Sequence, residues 1–221
     1  ANAFALRGGK PIFVDIKKDT LNIDENLIEN SITKKTQCIV VVHYAGFSCD
    51  MDLVRNIANR HQLILIEDAA QAISSKYKQN YLGSIGDFGT FSFHQTKNIH
   101  CGEGGALLIN KKKYLHRSKI LREKGTNRKD FMDGKINKYE WVDLGSSYVP
   151  SELQGAFLYG QLKKIDEVIS LRLNLWNKYH KAFEDLEKKD KLNRPKVPKY
   201  NSNNAHMYFL ILKNKEMRDN F

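Results

Sequence analysis

Cysteine, proline and long apolar runs are all scarce in this sequence, and each scarcity excludes something. Three cysteines, Cys38, Cys49 and Cys101, lie far apart without ligand-like spacing. That argues against a disulfide framework and against a zinc or other metal site, and leaves three reduced thiols as the expectation. No apolar run is long enough to span a bilayer and no charged-then-apolar leader opens the chain, so a soluble cytoplasmic protein with no membrane partner is expected. The four prolines fall at boundaries: Pro11 before an apolar run, Pro150 at the start of a helical pattern, Pro195 and Pro198 in a polar connecting stretch.

Acidic residues are in the minority, 25 against 36 Lys and Arg, for a net charge of +11. Where the bases sit matters more than their number. They crowd into 111–129 and recur after Lys178, without interleaved aromatics and without a Cys/His finger. The expectation is therefore a solvated basic surface and no nucleic-acid partner; an acidic small molecule, such as one carrying phosphates, suits the charge equally well.

The order of patterns predicts an α/β fold. Residues 11–16 read as a short strand, and Asp24 caps a helix over 24–33. The run 37–43, QCIVVVH, reads as a strand covered on both faces, 51–61 as a helix capped by Asp50, and 63–67 as a third strand. Such alternation is the grammar of a mainly parallel sheet flanked by helices. Further strands are predicted over 90–94 and 106–110, a helix over 111–124, and no periodic element over 125–145.

From Pro150 the sequence reads as one long helical region to about residue 190. Its apolar stripe, Leu153, Phe157, Leu158, Leu162, Ile165, Val168, Ile169, Leu173 and Trp176, predicts ordinary core packing. Residues 194–204 read as a linker and 207–212 as the first strand of a smaller C-terminal domain. The predicted division is a large domain over 1–165, a connecting helix over 166–194 and the start of the small domain over 195–221. Because the chain opens running into a strand and stops where a helix begins, it is expected to be a central segment of a longer polypeptide.

Ligands of such sheets bind beyond the carboxyl ends of the strands, which singles out His43 and Asp68. His43 and His94, beside apolar strands, are expected to be satisfied core histidines. Lys97 follows the 90–94 strand on a turn-rich loop. A lysine can act as an amine nucleophile and form a Schiff base with a carbonyl compound. Pyridoxal 5'-phosphate is the cofactor that uses such a lysine, and it needs a carboxylate on its pyridine nitrogen, which Asp68 could supply. Ser92 could donate a hydroxyl to the phosphate, and Gln71 could sit against the ring. Singly, each of these residues is equally at home in a turn, a cap or solvent.

Together they resemble a family. Glu67-Asp68-Ala69-Ala70-Gln71, the glycines at 83, 86 and 89 with Asp87, Ser92-Phe93-His94-Gln95-Thr96-Lys97-Asn98 and Gly102-Glu103-Gly104-Gly105 are similar to the motifs of the DegT/DnrJ/EryC1/StrS sugar aminotransferases. The likeness continues through His43-Tyr44-Ala45-Gly46, 121–128 and 141–161, and is greatest to the branch that makes dTDP-4-amino-4,6-dideoxygalactose. The resemblance implies the large domain of a type I aminotransferase and a homodimer with shared active sites. It implies pyridoxal phosphate held covalently by Lys97, with Asp68 at the pyridine nitrogen, Gln71 by the ring and Ser92 on the phosphate. It also implies glutamate as amino donor, dTDP-4-keto-6-deoxyglucose as acceptor, and a place in surface polysaccharide biosynthesis.

Two departures accompany the likeness. Val149 stands where many relatives place an asparagine or arginine reaching the partner's cofactor phosphate, with Ser146 and Ser147 as nearby substitutes, and the family's upstream phosphate-binding turn has no counterpart in the sequence. A lysine at 97 rather than the histidine of the family's dehydratase branch speaks for transamination. The competing expectations are a 3-keto or a UDP- or GDP-linked sugar as substrate and, from another class, a non-catalytic basic binding or regulatory module.

Overall fold

The computed structural model describes residues 1–221. After a single helical turn, α1 (Asn2–Ala5), the chain runs through turns to β1 (Cys38–Val42). No strand forms over 11–16: only an isolated bridge joins Ile16 to Ile23, Phe13 is exposed, and Pro11 brings no N–H to a ladder. The helix expected over 24–33 is instead two 3-10 turns, Glu25–Leu27 and Glu29–Ser31. Asp24 caps the first by accepting from the Asn26 N–H, but Asn26, Asn30 and Ser31 compete with the backbone for hydrogen bonds and a stable helix does not propagate.

From β1 onward the predicted grammar holds. Asp50 accepts from the Leu53 N–H and starts α2 (Met51–Arg60), whose Met51, Val54 and Ile57 are buried against Val41 of β1 and Leu65 of β2 (Ile64–Asp68). Each fully buried side chain of this size contributes about 1.5–3 kcal/mol. β1 and β2 are parallel, with Val42 opposite Asp68. A hairpin of β3 (Lys76–Tyr77) and β4 (Asn80–Tyr81) precedes β5 (Phe88–Ser92), which lies parallel to β2 with Thr90 opposite Asp68. β6 (Gly105–Ile109) turns back antiparallel to β5 and ends the sheet, whose order is β1-β2-β5-β6.

The next helix is shorter than the 111–124 expected. A 3-10 turn, Lys112–Tyr114, leads into α3 (Leu115–Arg122), and a small helix, α4 (Arg128–Met132), interrupts the stretch read as aperiodic. The long helical region is broken twice, giving α5 (Glu152–Leu162), α6 (Ile165–Ala182) and α7 (Glu184–Lys188). A capping box between Ser151 and Gln154 starts α5.

The apolar stripe does not pack as one face. Trp176 on α6 is buried, edge-on to Phe47 at 6.5 Å, whereas Leu153 is 85% exposed and Phe157 and Leu162 also face outward. The break after Leu162 takes α5 away from the core that receives α6, so periodicity in a continuous register misjudged the first half.

Residues 194–204 are not free linker. β7 (Leu192–Asn193) pairs antiparallel with β9 (Ile211–Leu212), and β8 (Asn201–Ser202) lies between them in sequence and pairs with β3. The strand expected over 207–212 is thus reduced to its last two residues. The chain ends in α8 (Lys215–Asp219). No helix is long and apolar enough to cross a membrane, and no group of three His, Cys, Asp or Glu side chains is placed to hold a metal ion.

Candidate active site

The carboxyl ends of β1, β2 and β5 share one edge of the sheet because the three strands are parallel, and that edge carries His43, Asp68 and Ser92. Asp68 is the last residue of β2. Its carbonyl accepts from the His43 N–H at 3.0 Å, and the following N–H, of Ala69, donates to Thr90 at 3.0 Å, so the strand end is tied on both sides. Its Oδ1 accepts from the Ala70 N–H at 3.1 Å, while Oδ2 makes no hydrogen bond within the protein. A half-buried carboxylate with one oxygen fixed and the other free is suited to meet a protonated nitrogen.

Glu67, one residue earlier, points to the opposite face and is sealed from solvent. Its carboxylate accepts from the N–H groups of Gly83, Ile85 and Gly86 at 2.8, 2.6 and 2.6 Å and from His43 Nε2 at 3.0 Å. Burial pushes the Glu67 carboxyl up, but the His43 hydrogen bond, with the Gly86 and Gly83 N–H groups, outweighs it and holds it below the usual range. The Cys49 N–H donates to His43 Nδ1 at 3.3 Å, which makes Nε2 the protonated nitrogen. His43 is therefore a satisfied core histidine. Gly89, opposite Glu67 on β5, lets the 83–86 loop cross: a Cβ there would sit 2.1 Å from the Gly83 carbonyl oxygen.

Gln71 lies on the turn after β2, and its Oε1 accepts from the Ala45 N–H at 2.6 Å, joining that turn to the one after β1. Ser92 ends β5, and its Oγ accepts from the His94 N–H at 3.3 Å, leaving its own proton available. Lys97 is half-buried on the loop between β5 and β6 and forms no ion pair. The loop is closed on itself by the Phe93 and Gln95 N–H groups donating to Gly104 and Gly102 at 2.8 and 2.7 Å.

All four predicted residues thus stand at one sheet edge, Asp68 and Ser92 at strand ends and Gln71 and Lys97 on the turns that follow. His94 differs from expectation: its ring is partly exposed, with Nδ1 2.9 Å from Thr96 Oγ1 and Nε2 3.5 Å from Glu103. Two residues turn up here without warning from the sequence. Asn204 and His206 reach the site from the far end of the chain, and nothing in the polar run Asn201–Ser202 through Met207 distinguished them. Glu67 did leave a signal, since a charged residue inside ILIED must be satisfied if the strand is buried. Val149, Ser146 and Ser147 lie on an exposed stretch before α5.

A free carboxylate oxygen, an uncompensated lysine, a serine hydroxyl and an amide on one sheet edge form a donor and acceptor set that fits pyridoxal phosphate. The comparisons with known proteins agree. The model of the DegT/DnrJ/EryC1/StrS aminotransferase family matches residues 1–221. An uncharacterized protein of Methanocaldococcus jannaschii is 37% identical over 214 residues, 96% of this chain and 55% of that protein. The spore coat polysaccharide biosynthesis protein SpsC of Bacillus subtilis is 36% identical over 189 residues, 84% of this chain and 49% of that protein. Among solved structures, DesI in the presence of its TDP-sugar product superposes with a TM-score of 0.81 at 28% identity, over 95% of this chain and 50% of that one. The chain spans about half the length of the curated relatives it matches. It has the fold of the DegT/DnrJ/EryC1/StrS aminotransferases, enzymes that depend on pyridoxal phosphate, and belongs to that family.

Proposed function

We propose that this protein transfers an amino group from glutamate to a nucleotide-linked 4-keto-6-deoxy sugar, dTDP-4-keto-6-deoxyglucose, in the cytoplasmic synthesis of a surface polysaccharide. The observation that carries the chemistry is that an Asp68 oxygen without a hydrogen bond and a Lys97 without an ion pair stand at the same sheet edge. Support for the substrate comes from the TDP-sugar product of DesI, the polysaccharide role of SpsC, and a net charge of +11 that favours a diphosphate.

When bound, pyridoxal phosphate supplies the electron sink that makes a carbon–hydrogen bond beside an amine acidic. Lys97 would hold the cofactor, and its amine would be the group that carries the proton; arginine could not serve, since its guanidinium does not deprotonate near neutral pH. Asp68, with Oδ2 free, would keep a proton on the pyridine nitrogen. Ser92 would donate its hydroxyl to the phosphate, and Gln71 would flank the ring. A second copy of the chain completes the site, a reading supported by the outward-facing Trp141 and Leu144 near Val149.

The test is turnover. With glutamate and a panel of nucleotide ketosugars, amination of dTDP-4-keto-6-deoxyglucose is expected; turnover only with a 3-keto, UDP- or GDP-linked sugar would replace the substrate, and binding of DNA without any cofactor would replace the enzyme. The visible absorbance of the cofactor-loaded protein is expected to vanish in Lys97→Ala, and its persistence would remove Lys97 from the site.

A further inference from the structure

Residues 204–206 are threaded among three turns of the site. Asn204 is 1% exposed; its Nδ2 donates to the carbonyls of Gln71 and Ile73 at 2.9 and 2.8 Å, and its Oδ1 accepts from the His206 N–H at 3.1 Å. Its carbonyl accepts from Nδ2 of buried Asn98, the residue after Lys97, at 2.9 Å. The turn after β1 closes around the same side chain: a Cβ on Gly46, which has φ +83°, would lie 2.1 Å from Asn204 Oδ1. Arg172 of α6 holds the segment from behind, donating to the carbonyls of Ala205 and His206 at 3.0 and 2.6 Å, with Ala205 in the left-handed region at φ 51°.

The asparagine fixes the histidine's tautomer. Asn98 uses its amide nitrogen on Asn204, so its Oδ1, 3.1 Å from His206 Nδ1, is an acceptor and Nδ1 carries the proton. Nε2 has no partner in the protein. We propose that His206, through the Nδ1–H bond it donates to Asn98, is a positioning residue for Lys97, fixing the loop that presents the lysine. This rests on the assignment of Lys97 as the cofactor lysine. Burial, with the charges of Lys97 and Arg172, pushes the imidazole down to about 4, which favours the uncharged ring.

The experiment uses the complete polypeptide loaded with pyridoxal phosphate. His206→Phe keeps the bulk but strips Asn98 Oδ1 of its donor, and should weaken cofactor binding about tenfold and move the pH midpoint of the visible absorbance. His206→Asn, which can still donate, should restore both. A merely structural histidine would lower thermal stability and leave the absorbance midpoint unmoved, and that result overturns the proposal. Histidine 15N NMR of the unsubstituted protein gives a reading independent of any variant's folding: a proton on Nδ1 is expected, and a neutral ring protonated only at Nε2 would overturn the proposal. If the parent has no Lys97-dependent absorbance while the NMR tautomer is as expected, the cofactor-lysine assignment has failed and the proposed role falls with it, leaving only the Asn98–His206 contact.

Discussion

One residue before Asp68, the Glu67 carboxylate collects three backbone N–H groups and the His43 ring with no solvent to replace them. Glu67→Gln turns an NH₂ toward that ring of donors and leaves at least one unsatisfied, for an expected loss of about 2–4 kcal/mol in urea denaturation near neutral pH. The pH dependence follows from the direction of the shift. The folded carboxyl sits below its ordinary value of 4.5, so its contribution is complete above that value and is lost as pH falls through the folded one. The gap between parent and variant should therefore be flat near neutrality and close in acid; a gap that widens in acid would show that Glu67 is not ionised. At this scale the sequence exposed Asp68, Gln71, Ser92 and Lys97 because they sit within thirty residues in a recognisable spacing. It hid Asn204 and His206, whose partners Gln71 and Asn98 are more than a hundred residues away.

Among elements, α6 is the one that ties the C-terminal half to the sheet. Trp176 packs edge-on to Phe47 at 6.5 Å, stacks on His180 at 4.6 Å and meets Tyr208 at 5.1 Å, while Arg172, one turn earlier, grips 205–206. Trp176→Ala should cost about 3–5 kcal/mol by chemical denaturation, and a loss under 1 kcal/mol would mean that the cluster does not bind the halves together. β1, α2 and β2 were legible to within a residue or two, since buried strands and a capped amphipathic helix announce themselves locally. The 3-10 turns at Glu25–Leu27 and Glu29–Ser31, the two breaks in the helical region and the pairing of β8 onto β3 were not. Those depend on which surfaces meet, and neither spacing nor propensity records that.

For the whole molecule, the notable surface is apolar. Trp141, Leu144 and Leu153 are each more than 80% exposed, with Tyr148 and Phe157 beside them in sequence. Aromatic and aliphatic side chains at that density are those a stable interface buries, and about 1,000 Å² or more is needed for one. Sedimentation of the complete polypeptide should show a dimer at micromolar concentration that Trp141→Asp together with Leu144→Asp dissociates; a monomer throughout would leave the shared-site reading without support. The fold class was readable at this scale because strand-helix alternation and the family motifs agree. The direction of β6 was not, since nothing in its own residues distinguishes an antiparallel closing strand from another parallel one.

The threading of Asn204 among Gly46, Gln71 and Asn98 carries a consequence for how the protein is made. A ribosome delivers the chain from its amino end, so the sheet edge with its aspartate and lysine emerges long before the segment that fastens the surrounding turns. Until residue 206 has left the ribosome, the three turns lack their common tether, and this sheet edge is expected to become ordered late in synthesis.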